Sequence, residues 1–159
     1  LPGWSRLDLD ASSAPYLRSG WSGPRTARDG ASFRWVTGRE AAVVAHLPAL
    51  GAARVSLRLS PVRGLEGQEM RLLVNECALG TSALARDLQT AAFDAPAACW
   101  HPGRNLVVLQ FRKVAEPAGD RGLPRAAVVD WIEVTPAASG GPAAATTALP
   151  PPIQDASQR

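Results

Sequence analysis

The feature that most constrains this chain is the stretch of residues 53–134, where short apolar-alternating segments recur with turn residues between them and no helix-length periodic segment interrupts. A period of two repeated over several short segments marks strands with one buried and one wet face. It predicts an all-β antiparallel sandwich. In Arg54-Val55-Ser56-Leu57-Arg58-Leu59-Ser60 every second residue is apolar and the others are Arg or Ser, and Met70, Leu72 and Val74 repeat the pattern. Residues 106–111 are apolar almost throughout, which predicts a central strand buried on both faces; residues 126–134, enclosing Asp130, read the same way. Residues 33–36 and 41–47 give two more strands with Thr37-Gly38 as the turn between them. Leu7 and Leu9 suggest a half-exposed first strand, and residues 91–95 add another. The total is about eight or nine strands, the number used by a jelly roll. Leu57, Leu59, Leu72, Val74, Val107, Leu109, Val129 and Trp131 are expected between the two sheets.

A chain of 159 residues is long enough to bury one core without staples. Composition changes near Thr135, which divides the chain into a sandwich domain over residues 1–135 and an extended tail or linker over 136–159. The tail has no strand pattern. From Ala137 onward its prolines, Pro142 and Pro150 to Pro152, favour an extended polyproline conformation, and Leu149 and Ile153 are its only large apolar side chains. The net charge of +3 is made almost wholly of arginine, Lys113 being the single lysine, and these charges alternate with Asp and Glu. Nucleic-acid binding asks for a stripe or cluster of positive charge, and none is present. No apolar run approaches the ~18 residues of a membrane-spanning helix. The chain begins at Leu1 rather than Met, so a processed form or a fragment is expected. Either fits export after removal of an N-terminal signal or anchor.

Cys77 and Cys99 can form one disulfide, remain two thiols, or join His46 and His101 at a metal. The metal reading is short of ligands, because zinc wants them in tight pairs and Cys99-x-His101 supplies one pair only. Catalytic chemistry fares no better. His46 lies in an apolar strand and His101 beside a turn, neither near a nucleophile elbow. The carboxylate pairs Asp8/Asp10 and Glu66/Glu69 fall on a wet strand face and in a Gly-rich loop, with nothing apolar beside them to raise a pKa. No phosphate-cradling glycine pattern occurs. The expectation is a chain that is not an enzyme and holds no cofactor or metal.

What remains is a set of large residues outside the simple alternation. Trp21 with Arg25, and Arg34 with Trp35, gather two indoles and two guanidiniums around one long loop, and Trp100 precedes another turn. Rings beside arginines on loops can serve as a sugar platform or a protein hot spot; packing over the sandwich ends is the plainer use. Trp100 and Trp4, each next to Pro or Gly, are expected to be accessible.

The order Gly20-Trp21-Ser22, Arg34-Trp35, Val74-Asn75 with Leu79-Gly80, then Pro96-Ala97, carries a resemblance, continued by Trp100 with Pro102-Gly103 and Asn105, and by Val129-Asp130-Trp131-Ile132 after Arg125. From Ser19 to Val134 the chain resembles a jelly-roll module of the galactose-binding-domain-like superfamily. It is similar in particular to accessory ectodomains of bacterial membrane-anchored sulfatase-like and glycosyltransferase-like proteins. The family pattern has Gly where Glu76 stands here, which argues against a tight hairpin at Asn75. The resemblance implies an extracytoplasmic, non-catalytic binding or spacer module and carries over no catalytic residue. Two functions follow as expectations. One is an interaction subunit that docks onto a larger envelope assembly through its loops and tail, with Leu149 and Ile153 as anchors. The other is a carbohydrate-binding module using Trp21, Arg25, Arg34, Trp35 and Trp100.

Overall fold

Two antiparallel sheets face each other across one apolar core in the computed structural model, which describes residues 2–47, 51–117 and 122–137. Ten strands occur among the described residues: β1 Arg6–Asp8, β2 Arg25–Thr26, β3 Ser32–Val36, β4 Glu40–Leu47, β5 Ala53–Pro61, β6 Glu69–Val74, β7 Cys77–Ala83, β8 Gln89–Ala95, β9 Gly103–Phe111 and β10 Ala127–Pro136. The first sheet runs β2-β3-β10-β5-β8, with β1 also on β10; the second runs β4-β9-β6-β7. The fold is therefore the antiparallel jelly roll that the alternation predicts. The strands expected to be central are so placed, β10 in one sheet and β9 in the other.

Period-two burial follows from this packing. Val55, Leu57 and Leu59 of β5, Met70, Leu72 and Val74 of β6, and Val107 and Leu109 of β9 are fully buried between the sheets. Two expectations about burial need correction. The strand over residues 106–111 is not buried on both faces: Leu106 is 38% exposed while its neighbours Asn105 and Val107 point inward. An antiparallel sandwich leaves the outer face of each sheet to solvent, whatever the side chains there. Trp131 is likewise half-buried on the outer face rather than in the core. The cause is a bulge: the register with β5 shifts between Val129 and Trp131, so the unpaired Asp130 reverses the parity. Val129 and Ile132 both face inward as a result. The same bulge divides the other edge of β10, where β3 pairs with residues before it and β1 with residues after it.

Thr37 and Gly38 do not close a hairpin. They carry the chain from β3 in the first sheet to β4 in the second. Strand β7 has no fully buried residue, and its small side chains give little alternation to read. The β6–β7 connection is a two-residue turn in spite of Glu76, because Val74 pairs with Cys77 and Asn75 itself takes the left-handed conformation, φ 53°. Asn75 is held there from both ends. Its Nδ2 donates to Cys99 O and Asn105 Oδ1, and its Oδ1 accepts from Leu106 N. Asn105, fully buried, donates to His101 O and Gly103 O and accepts from His101 N. A buried amide is tolerated when every group finds a partner, and here the two asparagines tie the start of β9 to the β6–β7 turn.

Cys77 and Cys99, 22 positions apart in sequence, form a disulfide across this same corner, with Cα atoms 5.7 Å apart. Closing a loop of that length removes unfolded-state entropy worth about 3 kcal/mol in the chain-entropy model. A reducing agent should therefore lower the melting temperature by several degrees, checked by thermal unfolding with and without dithiothreitol. An unchanged melting curve would contradict this contribution.

Candidate functional site

The residues singled out by sequence do not form one loop cluster. Trp21 is half-buried, and its Nε1 donates to Ala42 O at 2.8 Å, tying the segment before β2 to β4. Arg34 points inward from β3, only 5% exposed; its two terminal nitrogens donate to Ser22 O and Asp10 O, each at 2.8 Å. Burial lowers its pKa and the nearby Asp10 opposes that. Its geometry is that of an internal clamp. Trp100, expected to be accessible, is 4% exposed and belongs to the core. The short 3-10 turn Ala97–Cys99 and the disulfide beside it draw the ring inward, so a neighbouring proline and glycine did not place it at the surface. Arg25 is exposed on β2, opposite Phe33. Leu149 and Ile153 lie outside the described residues. Both sulfurs are in the disulfide, and no cluster of three or more His, Cys, Asp or Glu among the described residues could hold a metal.

Trp35 is different. The parity that turns Arg34 and Val36 inward turns Trp35 onto the outer face of the first sheet, where it stands half-buried opposite Val128 of β10. Two neighbours fix the ring. The Arg125 guanidinium lies 4.4 Å from its centroid, and Phe33 meets it edge-on at 5.8 Å between centroids.

Beside Trp35 is a groove of about 880 Å³. Its floor is the outer face of the sheet, formed by Trp35, Val128 and Ser60, which lie in register across three strands. Its walls are two connections: Arg63, Glu66 and Gly67 come from the β5–β6 loop, and Leu84, Arg86, Asp87 and Leu88 follow β7. The loops meet at the exposed ion pair of Arg86 with Glu66, 3.9 Å, which orients them but adds little stability. Gln68 anchors the first loop. It is fully buried, its Nε2 donates to Lys113 O and Ala126 O, and its Oε1 accepts from Glu69 N and Lys113 N. Lys113 Nζ in turn donates to Glu66 O at 2.6 Å. The groove thus joins an aromatic plane and exposed Leu88 to two guanidiniums and two carboxylates at the rim. An apolar wall with a few convergent polar groups is the usual make-up of a small-ligand site.

A second ring-and-arginine pair lies farther along the same sheet face. Arg6 covers Trp131, 4.3 Å from the centroid, and Arg58 pairs with Asp130 at 3.6 Å. Desolvation raises the Asp130 pKa; Arg58 counters it, Asp8 adds to it, Arg6 counters it and Asp29 adds to it. Sequence reading found Trp35 but missed Arg63, Glu66, Arg86 and Asp87, which reach the groove from two separate loops. A charged residue on a loop carries no local signal of what it faces.

Comparison with solved structures places this architecture among carbohydrate-binding modules. A family 35 carbohydrate-binding module from Clostridium thermocellum superposes with a TM-score of 0.55 at 13% identity, covering 84% of this chain and 100% of that one. The C-terminal family 6 module of LamC, a marine laminarinase from Zobellia galactanivorans, gives 0.52 at 13% identity over 82% of this chain and 98% of the other. The β-(1,4)-mannanase of Podospora anserina, a glycoside hydrolase joined to a family 35 module, gives 0.53 at 12% identity over 84% of this chain and 27% of that one. At these identities the likeness is one of fold alone: the chain shares their antiparallel β-sandwich jelly roll. No protein-family model and no curated protein matches the sequence.

Proposed function

We propose that this domain is a non-catalytic carbohydrate-binding module of a glycan-acting envelope protein, with the groove beside Trp35 as its saccharide site. The observation that carries the reading is the braced indole of Trp35 forming the floor of a groove rimmed by Arg63, Glu66, Arg86 and Asp87. A pyranose ring offers an apolar C–H face and a rim of hydroxyls. The indole suits the first, and guanidinium donors with carboxylate acceptors suit the second through charge-assisted hydrogen bonds. Two positive and two negative side chains leave the rim without net charge, which fits an uncharged polysaccharide of the kind that laminarinases and mannanases act on. The neighbours in fold support this reading over docking onto an envelope assembly. The Cys77–Cys99 disulfide supports an oxidising, extracytoplasmic setting, and no helix among the described residues is long and apolar enough to cross a membrane.

The test is affinity electrophoresis through gels containing laminarin, mannan or xylan. The wild-type chain should be retarded by at least one of them. Trp35→Ala should weaken that binding at least tenfold, since truncating an aromatic hot spot costs about 2 kcal/mol or more and each 1.4 kcal/mol is about tenfold. Its far-UV spectrum should be unchanged, because the ring faces outward. Retardation of the variant equal to wild type would sink the assignment of the site.

A further inference from the structure

The walls of the groove are connections between strands, and such loops are ordinarily the least fixed part of a sandwich. Here each wall is bound at its foot by a glutamine that stands behind the lining rather than in it. Gln89 begins β8 and closes the second wall. Its Oε1 accepts from Ala85 N at 3.0 Å, and its Nε2 donates to Ala85 O and Asp87 O at 2.7 and 2.8 Å. One side chain therefore spans the turn that presents Arg86 and Asp87.

Gln68 joins more of the site. It is fully buried in line with Met70, Leu72 and Val74, an inward series in which packing alone favours an apolar side chain. Departures from the core pattern of this kind are expected at functional sites. Its amide uses its whole capacity, with Nε2 donating to Lys113 O and Ala126 O and Oε1 accepting from Glu69 N and Lys113 N. Its backbone carbonyl accepts from Leu84 N at 2.9 Å. These partners lead to each part of the groove. Leu84 opens the second wall. Ala126 follows the Arg125 that braces Trp35; its N donates to Val36 O, and its O also accepts from Val62 N, where the first wall starts. Lys113 reaches back across that wall, its Nζ donating to Glu66 O at 2.6 Å.

We infer that Gln68, Gln89 and Lys113 are positioning residues that set the groove in its binding shape before a saccharide arrives. The inference rests on the saccharide reading of the groove and adds what keeps the groove in shape. Satisfying buried polar groups accounts for Gln68 alone. Lys113 is exposed and Gln89 only half-buried, so water could serve both, yet each gives up rotamer freedom to hold a loop carbonyl. Such bonds add little net stability, because they replace bonds to water of similar strength. What they fix is loop shape, and a loop already ordered does not have to be ordered on binding, which raises affinity.

The experiment measures backbone amide order parameters of the ligand-free chain, and glycan affinity in parallel, for wild type and three variants. Wild-type wall amides should lie near about 0.85, as in rigid backbone. Lys113→Met should lower Gly64, Glu66 and Gly67 toward about 0.6 while Arg86 and Asp87 stay rigid, and Gln89→Leu should do the reverse. Gln68→Met should loosen both walls and shift the Trp35 indole N–H. The amides of Leu57 and Leu109 should keep their values throughout, and Lys113→Met and Gln89→Leu should melt as wild type does. Each variant should bind the glycan that retards wild type about fivefold more weakly. Wall order unchanged in Lys113→Met and Gln89→Leu would overturn the proposal, whether or not Gln68→Met folds. Loosened walls with undiminished binding would overturn it too. A wild-type chain that binds no glycan would sink the saccharide reading instead, and the order parameters alone would then decide whether these residues hold the walls.

Discussion

Replacing Gly20 with alanine should destabilise the domain on the order of 3–5 kcal/mol, more than the same change at any other described glycine. Gly20 holds φ +95°, and a Cβ there would stand 2.1 Å from Glu40 O and 2.7 Å from Ala41 Cα. Those are backbone atoms at the start of β4 and cannot rotate away. The crowding has a topological origin. Gly20 O accepts from Thr37 N, Trp21 bridges Val36, and Ala42 N donates to Ser19 O, so the strand running past Gly20 is wedged where the chain crosses from β3 to β4. A side chain at this point forces the two sheets apart at their junction. Against a total stability of roughly 5–15 kcal/mol, such a loss lowers the urea midpoint markedly. A Gly20→Ala chain with a midpoint equal to wild type would show that the crossing is looser than the structure has it.

Leu109→Ala should cost about 2–5 kcal/mol by the cavity it leaves. Leu109 is fully buried on the inner face of β9, one of the two interior strands of its sheet, in register with Ala41 on one side and Leu72 on the other. Ala41 is too small to fill the space, and Leu72 is already packed, so the site collapses little. The measured quantity is again the urea unfolding free energy; a loss under 1 kcal/mol would mean that the core centre lies elsewhere.

Much of this core was legible in the sequence because sheet burial imposes a period of two that needs no knowledge of partners. Leu57, Leu59, Leu72, Val74, Val107, Leu109 and Val129 all fall where alternation places them. The failures have particular causes. Trp131 lies outside because one bulged residue, Asp130, reverses parity, and a bulge is a property of the pair of strands rather than of either alone. Leu106 looked buried because apolar identity was read as burial on both faces, yet the wet face of β9 simply carries apolar side chains. Trp100 was drawn inward at a corner joined by Asn75, Asn105 and the disulfide, groups 22 to 30 residues apart. The groove was the least legible part. Its aromatic could be picked out as Trp35, but the rim depends on two loops meeting, and sequence distance hides that. The reach of residues 136–159 toward a partner, expected from their composition, falls mostly outside the described residues.

The account rests on the groove beside Trp35 binding saccharide. It is tested most directly by titrating the oligosaccharide of whichever polysaccharide retards the chain, and mapping the amide resonances that move. The predicted result is a contiguous set at Trp35, Ser60, Val128, Arg63, Arg86 and Asp87, together with the Trp35 indole N–H. Movement confined to the outer face of β4-β9-β6-β7, or no movement with any of the glycans, would contradict it.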